Sequence, residues 1–482
     1  MSPQRKLLLL GTFVHSKTQQ HLEFLHNAAV AVDEQGKIAA IERDVAEASE
    51  AQARLLTQLG WDEAEVDVTA AAEGQFFFPG FVDTHIHAPQ YANAGIFGKS
   101  SLLDWLETYT FPLESSLADL SKARRVYTRC VRRTLSHGTT TATYYATIDV
   151  AATNLLADLC LSMGQRAFVG RACMDNPDIN PDYYRDASAA ETLRATQQTI
   201  DHMRSIDPGF DIISPILTPR FAPSCSREAM AGLAQLHRET NLPIQTHISE
   251  NLGEIQLVKS MFPEADSYAG VYDKYGLLTS KTVLAHAVHI SEEEAKLIAD
   301  RGSKVSHCPC SNTSLTSGPA RVRWMWDRGI DVGLGTDMSG GYSPSILDAA
   351  RQAALVSRHV AMGIHVPEGG GAAAIEQEKE RERVKLTVEE ALYLATRGGA
   401  RCVGLEDKIG GFEVGMEWDA QLVSLSQVSD DGGMEEHDHG HGLVDVFGWE
   451  SWGDRLAKWL YNGDDRNTKR VWVKGRLVHK RK

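Results

Sequence analysis

Hydrophobic and polar positions follow two rhythms along this chain. Short strand-like runs fill residues 6–14, 29–32 and 37–42, with Asp33-Glu34-Gln35-Gly36 as a hairpin turn between the last two. Similar runs return at 419–425 and 470–479, where Lys474-Gly475 turns the chain between Val471-Trp472-Val473 and Arg476-Leu477-Val478. Neither patch suffices for a stable sheet core alone, so the pattern predicts a small discontinuous β-sandwich domain built from both termini, residues 1–78 and 405–482. Between them, apolar runs at 81–87, 139–144, 165–172, 211–218, 243–248, 282–287, 304–307 and 331–336 alternate with helical stretches. Such β-then-α units over residues 79–404 predict an α/β fold, a (β/α)8 TIM-like barrel with insertions; a doubly wound sheet is the alternative. Among the helices, 121–136 is amphipathic, and Ser291 with Glu294 and Thr387 with Glu390 form capping boxes.

Composition narrows the function classes. The 482 residues are 43% hydrophobic and 23% charged, which excludes a disordered or coiled-coil chain. Lys plus Arg number 49 against 64 Asp plus Glu, a net charge of −15 that disfavours nucleic acid and anionic membrane surfaces as partners. Seven Cys, with no paired CxxC motif, fit reduced thiols and a cytoplasmic location; Cys308 and Cys310 read as small buried residues. The apolar run 7–14 lacks a small-residue cleavage site and falls far below the ~20 residues of a membrane span, so it reads as an opening strand. Two segments look inserted: 367–383, which ends in a charged run, and the acidic, Gly-rich 429–442. The latter carries His437, His439 and His441, where metal capture competes with the favoured reading of a solvated loop.

Candidate chemistry concentrates at the predicted strand ends. In Pro79-Gly80-Phe81-Val82-Asp83-Thr84-His85-Ile86-His87, the two His are two apart and so face the same way at the C-terminal end of the first barrel strand. Their imidazoles suit Zn or a similar ion, although a lone HxH serves equally as a pair of hydrogen-bonded core residues. His247, with Glu250 three residues on, ends the fifth strand, His286 the sixth and Asp337 the eighth. Convergence of these ends on one mouth predicts a metal site with a further His and Glu beside it.

PGFVDTHIH, THISE, AHAVH, HCPCSN at 307–312 and GTDMSGG at 335–341 resemble the amidohydrolase superfamily, as does the segment 394–400 followed by Gly404, Ile409-Gly410 and Gly415. Within it, residues 85–91, Leu103-Asp104-Trp105-Leu106, Tyr109-Thr110-Phe111-Pro112, the run 218–225 and His247-Ile248-Ser249-Glu250-Asn251 resemble the guanine deaminase family. Two departures, Trp418-Asp419-Ala420 and the two insertions, are expected to bear on surface properties and not on chemistry.

The resemblance implies one Zn per subunit held by His85, His87, His247 and Asp337. The absence of a Lys near Leu217-Thr218-Pro219-Arg220 argues against a second metal, since binuclear relatives place a bridging Lys there. It further implies hydrolysis of guanine to xanthine and ammonia, with Glu250 and Asp337 moving protons and His286 polarising the attacking oxygen. Glu250 reads alternatively as a carboxylate at a helix N-terminus. For the purine base, Arg220 suits the O6 and N7 acceptors and Gln90 an amide-like edge, while Trp105 and Phe221 offer flat apolar walls; His87, His247, Glu250 and Asp337 complete the expected substrate contacts. Arg220 reads otherwise as an ion-paired arginine, and the aromatic residues as packing. The family also implies a homodimer. A related deaminase acting on another base, and a metal-free scaffold, are the competing readings.

Overall fold

The computed structural model describes residues 5–45, 47–367, 372–429 and 444–481. His437, His439 and His441 lie outside the described residues, and of the insertion 367–383 the helix Ala372–Arg383 is described.

The terminal segments contribute β1 (Lys6–Thr18), β2 (His21–Val32), β3 (Ile38–Glu42), β4 (Val66–Ala70) and β5 (Gln75–Pro79). The barrel strands are β6 (Phe81–His87), β7 (Thr139–Tyr145), β8 (Arg166–Gly170), β9 (Ala172–Cys173), β10 (Ile213–Pro215), β11 (Thr218–Pro219), β12 (Ile244–Ile248), β13 (Thr282–His286), β14 (Lys304–His307) and β15 (Val332–Leu334). Beyond the barrel come β16 (Ala420–Ser424), β17 (Ser426–Gln427), β18 (Asp445–Val446), β19 (Thr468–Val473) and β20 (Arg476–Lys480). Each apolar run expected as a barrel strand is one, with the third and fourth broken into β8 plus β9 and β10 plus β11.

The barrel is assembled from two parallel ladders, β10-β8-β7-β6 and β12-β13-β14-β15. At one seam Leu217 pairs with Ile244, and the Gln245 N–H donates to the Leu217 carbonyl at 2.9 Å. At the other, the Asp337 N–H reaches the His85 carbonyl at 2.8 Å and Thr84 Oγ1 donates to the Leu334 carbonyl at 2.8 Å. β6 and β7 are buried along their whole length, as expected of parallel strands covered on both faces.

The N- and C-terminal strands share one hydrogen-bonded sheet of order β20-β19-β16-β5-β1-β2-β3, with β4 alongside β1. One face buries Phe13, Phe77, Trp418 and Trp472; the other buries Leu8, Leu10 and Ala31 beneath the helix Ala48–Leu59. That helix, in a region read only as strand-like, presents Ala51 and Leu55 to the sheet one turn apart and stops at Gly60 (φ 65°). The helix Trp452–Asn462, opened by a Ser451/Asp454 capping box, was likewise absent from the sequence reading.

The expectation that Trp418-Asp419-Ala420 concerns the surface is overturned. Trp418 is wholly buried against Phe13, Phe77, Phe412 and Trp472, because it lies in the segment that enters β16. Asp419 beside it is buried in an ion pair with Arg166 at the start of β8, shared with Glu417; Arg166 also donates to the Asp211 carbonyl at 2.6 Å. The β sheet and the barrel are thus clamped by buried charge. At the crossing between them, β5 passes into β6 through Gly80, where a Cβ would sit 2.1 Å from Thr140 Oγ1. Among the described residues no helix is long and apolar enough to cross a membrane.

Removing one partner of this clamp leaves two carboxylates buried without their cation. Arg166→Ala is expected to lower the unfolding free energy by about 3–5 kcal/mol in urea titration; a loss below ~1 kcal/mol would mean that the pair behaves as a solvated one.

Candidate active site

Five metal-seeking side chains meet at the C-terminal mouth of the barrel. His85 and His87 alternate along β6 with their Nε2 atoms 3.3 Å apart, and His87 Nε2 is 3.2 Å from His247 Nε2 at the end of β12. Asp337 Oδ1, just past β15, lies 3.1 Å from His85 Nε2 and 3.4 Å from His87 Nε2. His286, the last residue of β13, puts Nε2 3.3 Å from Glu250 Oε2 and 3.8 Å from Asp337 Oδ2. Ligand atoms of His85, His247, His286 and Asp337 all lie within 4.8 Å of one another.

Local backbone aims these groups. Ser249, His286, Ala287 and Asp337 are non-glycine residues at positive φ (48°, 74°, 49° and 46°), a conformation that costs of order 1–2 kcal/mol per residue. It ends each strand abruptly and turns the adjoining side chains into the mouth. Hydrogen bonds then fix the rings. His247 Nδ1 donates to the Arg220 carbonyl at 2.6 Å and leaves Nε2 as the free lone pair. His286 Nδ1 pairs with Asn312 Oδ1 at 2.9 Å. Asp83 accepts from Thr336 Oγ1 (2.6 Å), the Thr336 N–H (3.1 Å) and the His85 N–H (3.2 Å), tying the base of β6 to the chain beyond β15.

Burial lowers the pKa of His85, His87 and His247, which keeps them in the neutral form that coordinates metal. Burial works against charge on Asp337 as well, but the surrounding His85, His286 and His87 outweigh it and hold the carboxyl well below its ordinary range. For His286 burial again opposes the cation, and the carboxylates of Glu250 and Asp337 prevail, raising its pKa. Glu250 is pushed up to about 7, chiefly by burial, with His286 and the Ser317 hydroxyl pulling the other way; that hydroxyl donates to Glu250 Oε1 at 3.1 Å.

This donor set fits a divalent cation. The Nε2 atoms of His85, His87 and His247 and the Oδ1 atom of Asp337 converge to 3.1–3.4 Å across neighbouring pairs, the mixed nitrogen and carboxylate set that a divalent ion takes.

Beside the cluster lies a small cavity whose wall includes His87, Gln90, Trp105, Arg220, Phe221 and Glu250. Of the other site residues named from the sequence, His247, His286 and Asp337 line the same cavity, and His85 lies in the cluster beside it. The structure adds one the sequence did not single out: Glu114, buried and ion-paired to Arg220 with Nη1 2.6 Å from Oε2. Tyr145, whose ring lies 4.6–4.9 Å from those of His85, His87 and His247, was missed too. Its position as the last residue of β7 was the available signal, since every barrel strand end faces this mouth. A larger cavity opens at the N-terminal ends of the strands by Arg166, Asp211 and Lys281, with no cluster of metal donors on its wall among the described residues.

In chelator-treated protein, Glu250 has a folded pKa of about 7 against ~4.3 unfolded, so the folded state binds more protons between these values. Its contribution to stability is full below pH ~4 and is lost as pH rises through 7. Glu250→Gln is expected to flatten the fall in melting temperature over that interval; an unchanged slope would place the titration on another group.

The amidohydrolase family model matches residues 76–478. A probable guanine deaminase of Schizosaccharomyces pombe is 46% identical over 98% of this chain and 83% of its own length. The guanine deaminase of Homo sapiens is 40% identical over 97% of this chain and 95% of its own. The crystal structure of guanine deaminase from C. acetobutylicum with bound guanine in the active site superposes with a TM-score of 0.81 at 30% identity, covering 98% of this chain and all of that one. Similar geometry and similar sequence over nearly the whole length lead to one conclusion: the chain belongs to the amidohydrolase family and, within it, to the guanine deaminases.

Proposed function

We propose that this enzyme hydrolyses guanine to xanthine and ammonia, using a single zinc ion held by His85, His87, His247 and Asp337. The observation that carries the reading is the juxtaposition of a buried His/Asp cluster with a small cavity bearing Arg220 and Gln90. Choice of His87 over His286 as the fourth ligand rests on charge. His87 is held neutral by burial, whereas Glu250 and Asp337 favour a proton on His286. When bound, the ion supplies Lewis acidity that makes water a source of hydroxide near neutral pH.

The protein's own groups do the rest. Net reaction requires an oxygen to add at the carbon bearing the exocyclic amine, a ring nitrogen to accept a proton, and the amine to leave as ammonia. Glu250, with a pKa near 7, both gives and takes a proton at neutral pH, so it is assigned protonation of the ring nitrogen. Asp337, held ionised, accepts the proton that the attacking water gives up, and the two carboxylates pass a proton on to the departing amine, which leaves as ammonia. His286, on which Glu250 and Asp337 favour a proton, is assigned a hydrogen bond to the attacking oxygen. Trp105 and Phe221 are assigned the flat walls of the base site, with Arg220 and Gln90 reading its polar edge. We take residues 79–404 as the catalytic barrel and residues 1–78 with 405–482 as the composite β domain. A cytoplasmic homodimer completes the proposal; seven free, buried cysteines support a reducing compartment.

Ammonia release from guanine by zinc-loaded protein tests this reading, with adenine and cytosine run alongside. Guanine should be the best substrate, chelation should abolish turnover and added zinc restore it; faster turnover of another base would overturn the assignment. Glu250→Gln should retain metal and lose about 10²–10⁴-fold in kcat, and near-normal activity would move the proton role elsewhere.

A further inference from the structure

Glu114 organises the base-reading wall of the cavity from behind. Its side chain is wholly buried, on the helical turn Phe111–Ser115 that follows Trp105. Four hydrogen bonds converge on its carboxylate: from Gln90 Nε2 to Oε1 (2.8 Å), from the Tyr184 hydroxyl to Oε2 (2.6 Å), and from Arg220 Nη1 to Oε2 (2.6 Å) and Nη2 to Oε1 (3.2 Å). Each oxygen takes two donors, which fills the acceptor capacity of a carboxylate. The donors are three residues, Gln90, Tyr184 and Arg220, from three separate segments of chain, so no single element could place them.

Three consequences follow for the ligand. Arg220 is gripped by both terminal nitrogens, Nη1 also lies 3.7 Å from Met174 Sδ, and the guanidinium stacks 5.3 Å from the Phe111 ring. The N–H groups left without a protein partner are that on Nε and the second on Nη2, a parallel pair along one edge. Two parallel donors match the O6 and N7 acceptors of guanine. Gln90 is fixed end for end, because its Nε2 donates to Glu114 while its Oε1 accepts from the Ser339 N–H at 3.2 Å. One N–H and one lone pair remain for the base. Lastly, the Glu114 charge cancels that of Arg220 within a buried cavity, so the site suits an uncharged base over an anion.

We propose that Glu114 is a positioning and specificity-determining residue, which pins Arg220 and Gln90 in the arrangement that reads guanine and neutralises the pocket. The proposal rests on the guanine reading above. In Glu114→Gln, the KM for guanine is expected to rise about 10–100-fold while kcat stays within about threefold, since the lost interaction is equal in ground and transition states. Inhibition by the anionic form of xanthine at alkaline pH should strengthen, because the Arg220 charge is no longer cancelled; a purely structural defect would not do this. Combined with Arg220→Ala, Glu114→Gln should raise KM by clearly less than it does alone, the remainder reflecting the hold on Gln90. A KM within threefold of wild type, or fully additive effects in the double variant, would overturn the proposal. Should Glu114→Gln not fold, Glu114→Asp keeps the charge and shortens the reach; its KM is expected to rise about 3–10-fold with xanthine inhibition unchanged, and an unaltered KM counts against Glu114. Wild-type protein that releases no ammonia from guanine refutes the underlying activity instead, a result distinct from an active wild type whose KM the variants leave alone.

Discussion

The meeting of four histidines and one aspartate from separate strand ends at a single mouth is the constraint on which this structure depends. Imidazole nitrogens come to 3.2–3.3 Å of one another only where the backbone brings them together. Here the compulsion comes from parallel strands whose ends share one rim, and from left-handed residues at Ser249, His286, Ala287 and Asp337. Barrel closure and site assembly are one event: the hydrogen bond from the Asp337 N–H to the His85 carbonyl that closes the seam also brings the carboxylate to the imidazole. Stability given up at the mouth is recovered in the apolar layers between barrel and helices.

Charge is treated differently at the two ends of the barrel. At the C-terminal mouth, burial lowers the pKa of His85, His87 and His247, while the neighbouring histidines hold Asp337 well below its ordinary range against the effect of burial. At the N-terminal end, Arg166 joins Glu417 and Asp419 in a closed ion pair that couples the sheet to β8 and leaves nothing for chemistry. A buried ion pair adds little net stability over apolar packing, yet it is costly to break, so it favours one docking of the two parts over its alternatives. The Glu114–Arg220 pair combines both uses: it is closed toward the protein and open, along one guanidinium edge, toward the cavity.

Much of this was legible along the chain, for reasons particular to the residues concerned. His85 and His87 could be assigned to one face because strand side chains alternate with period two, and the observed Nε2 separation follows from that. His247, His286 and Asp337 could be placed at one mouth because parallel barrel strands all end on the same side. The helix Ala48–Leu59 escaped notice because Ala51 and Leu55 are a weak apolar stripe in a polar stretch. Trp418 was misplaced because nothing local distinguishes a buried tryptophan at a strand entrance from an exposed one.

Local pattern, then, determined which residues could share a face, and hence the barrel, its mouth and most of the donor set. Tertiary structure alone decided which of those residues touch. Glu114 and Tyr184 lie on segments without a regular period relative to Arg220, and their meeting depends on how the chain folds back over the barrel. It also decided protonation, since the raised pKa of Glu250 and the lowered one of Asp337 arise from burial and from neighbours distant in sequence. Periodicity is a property of the backbone within one element and can be read there; distances between elements and the dielectric around a charge exist only once the chain has closed.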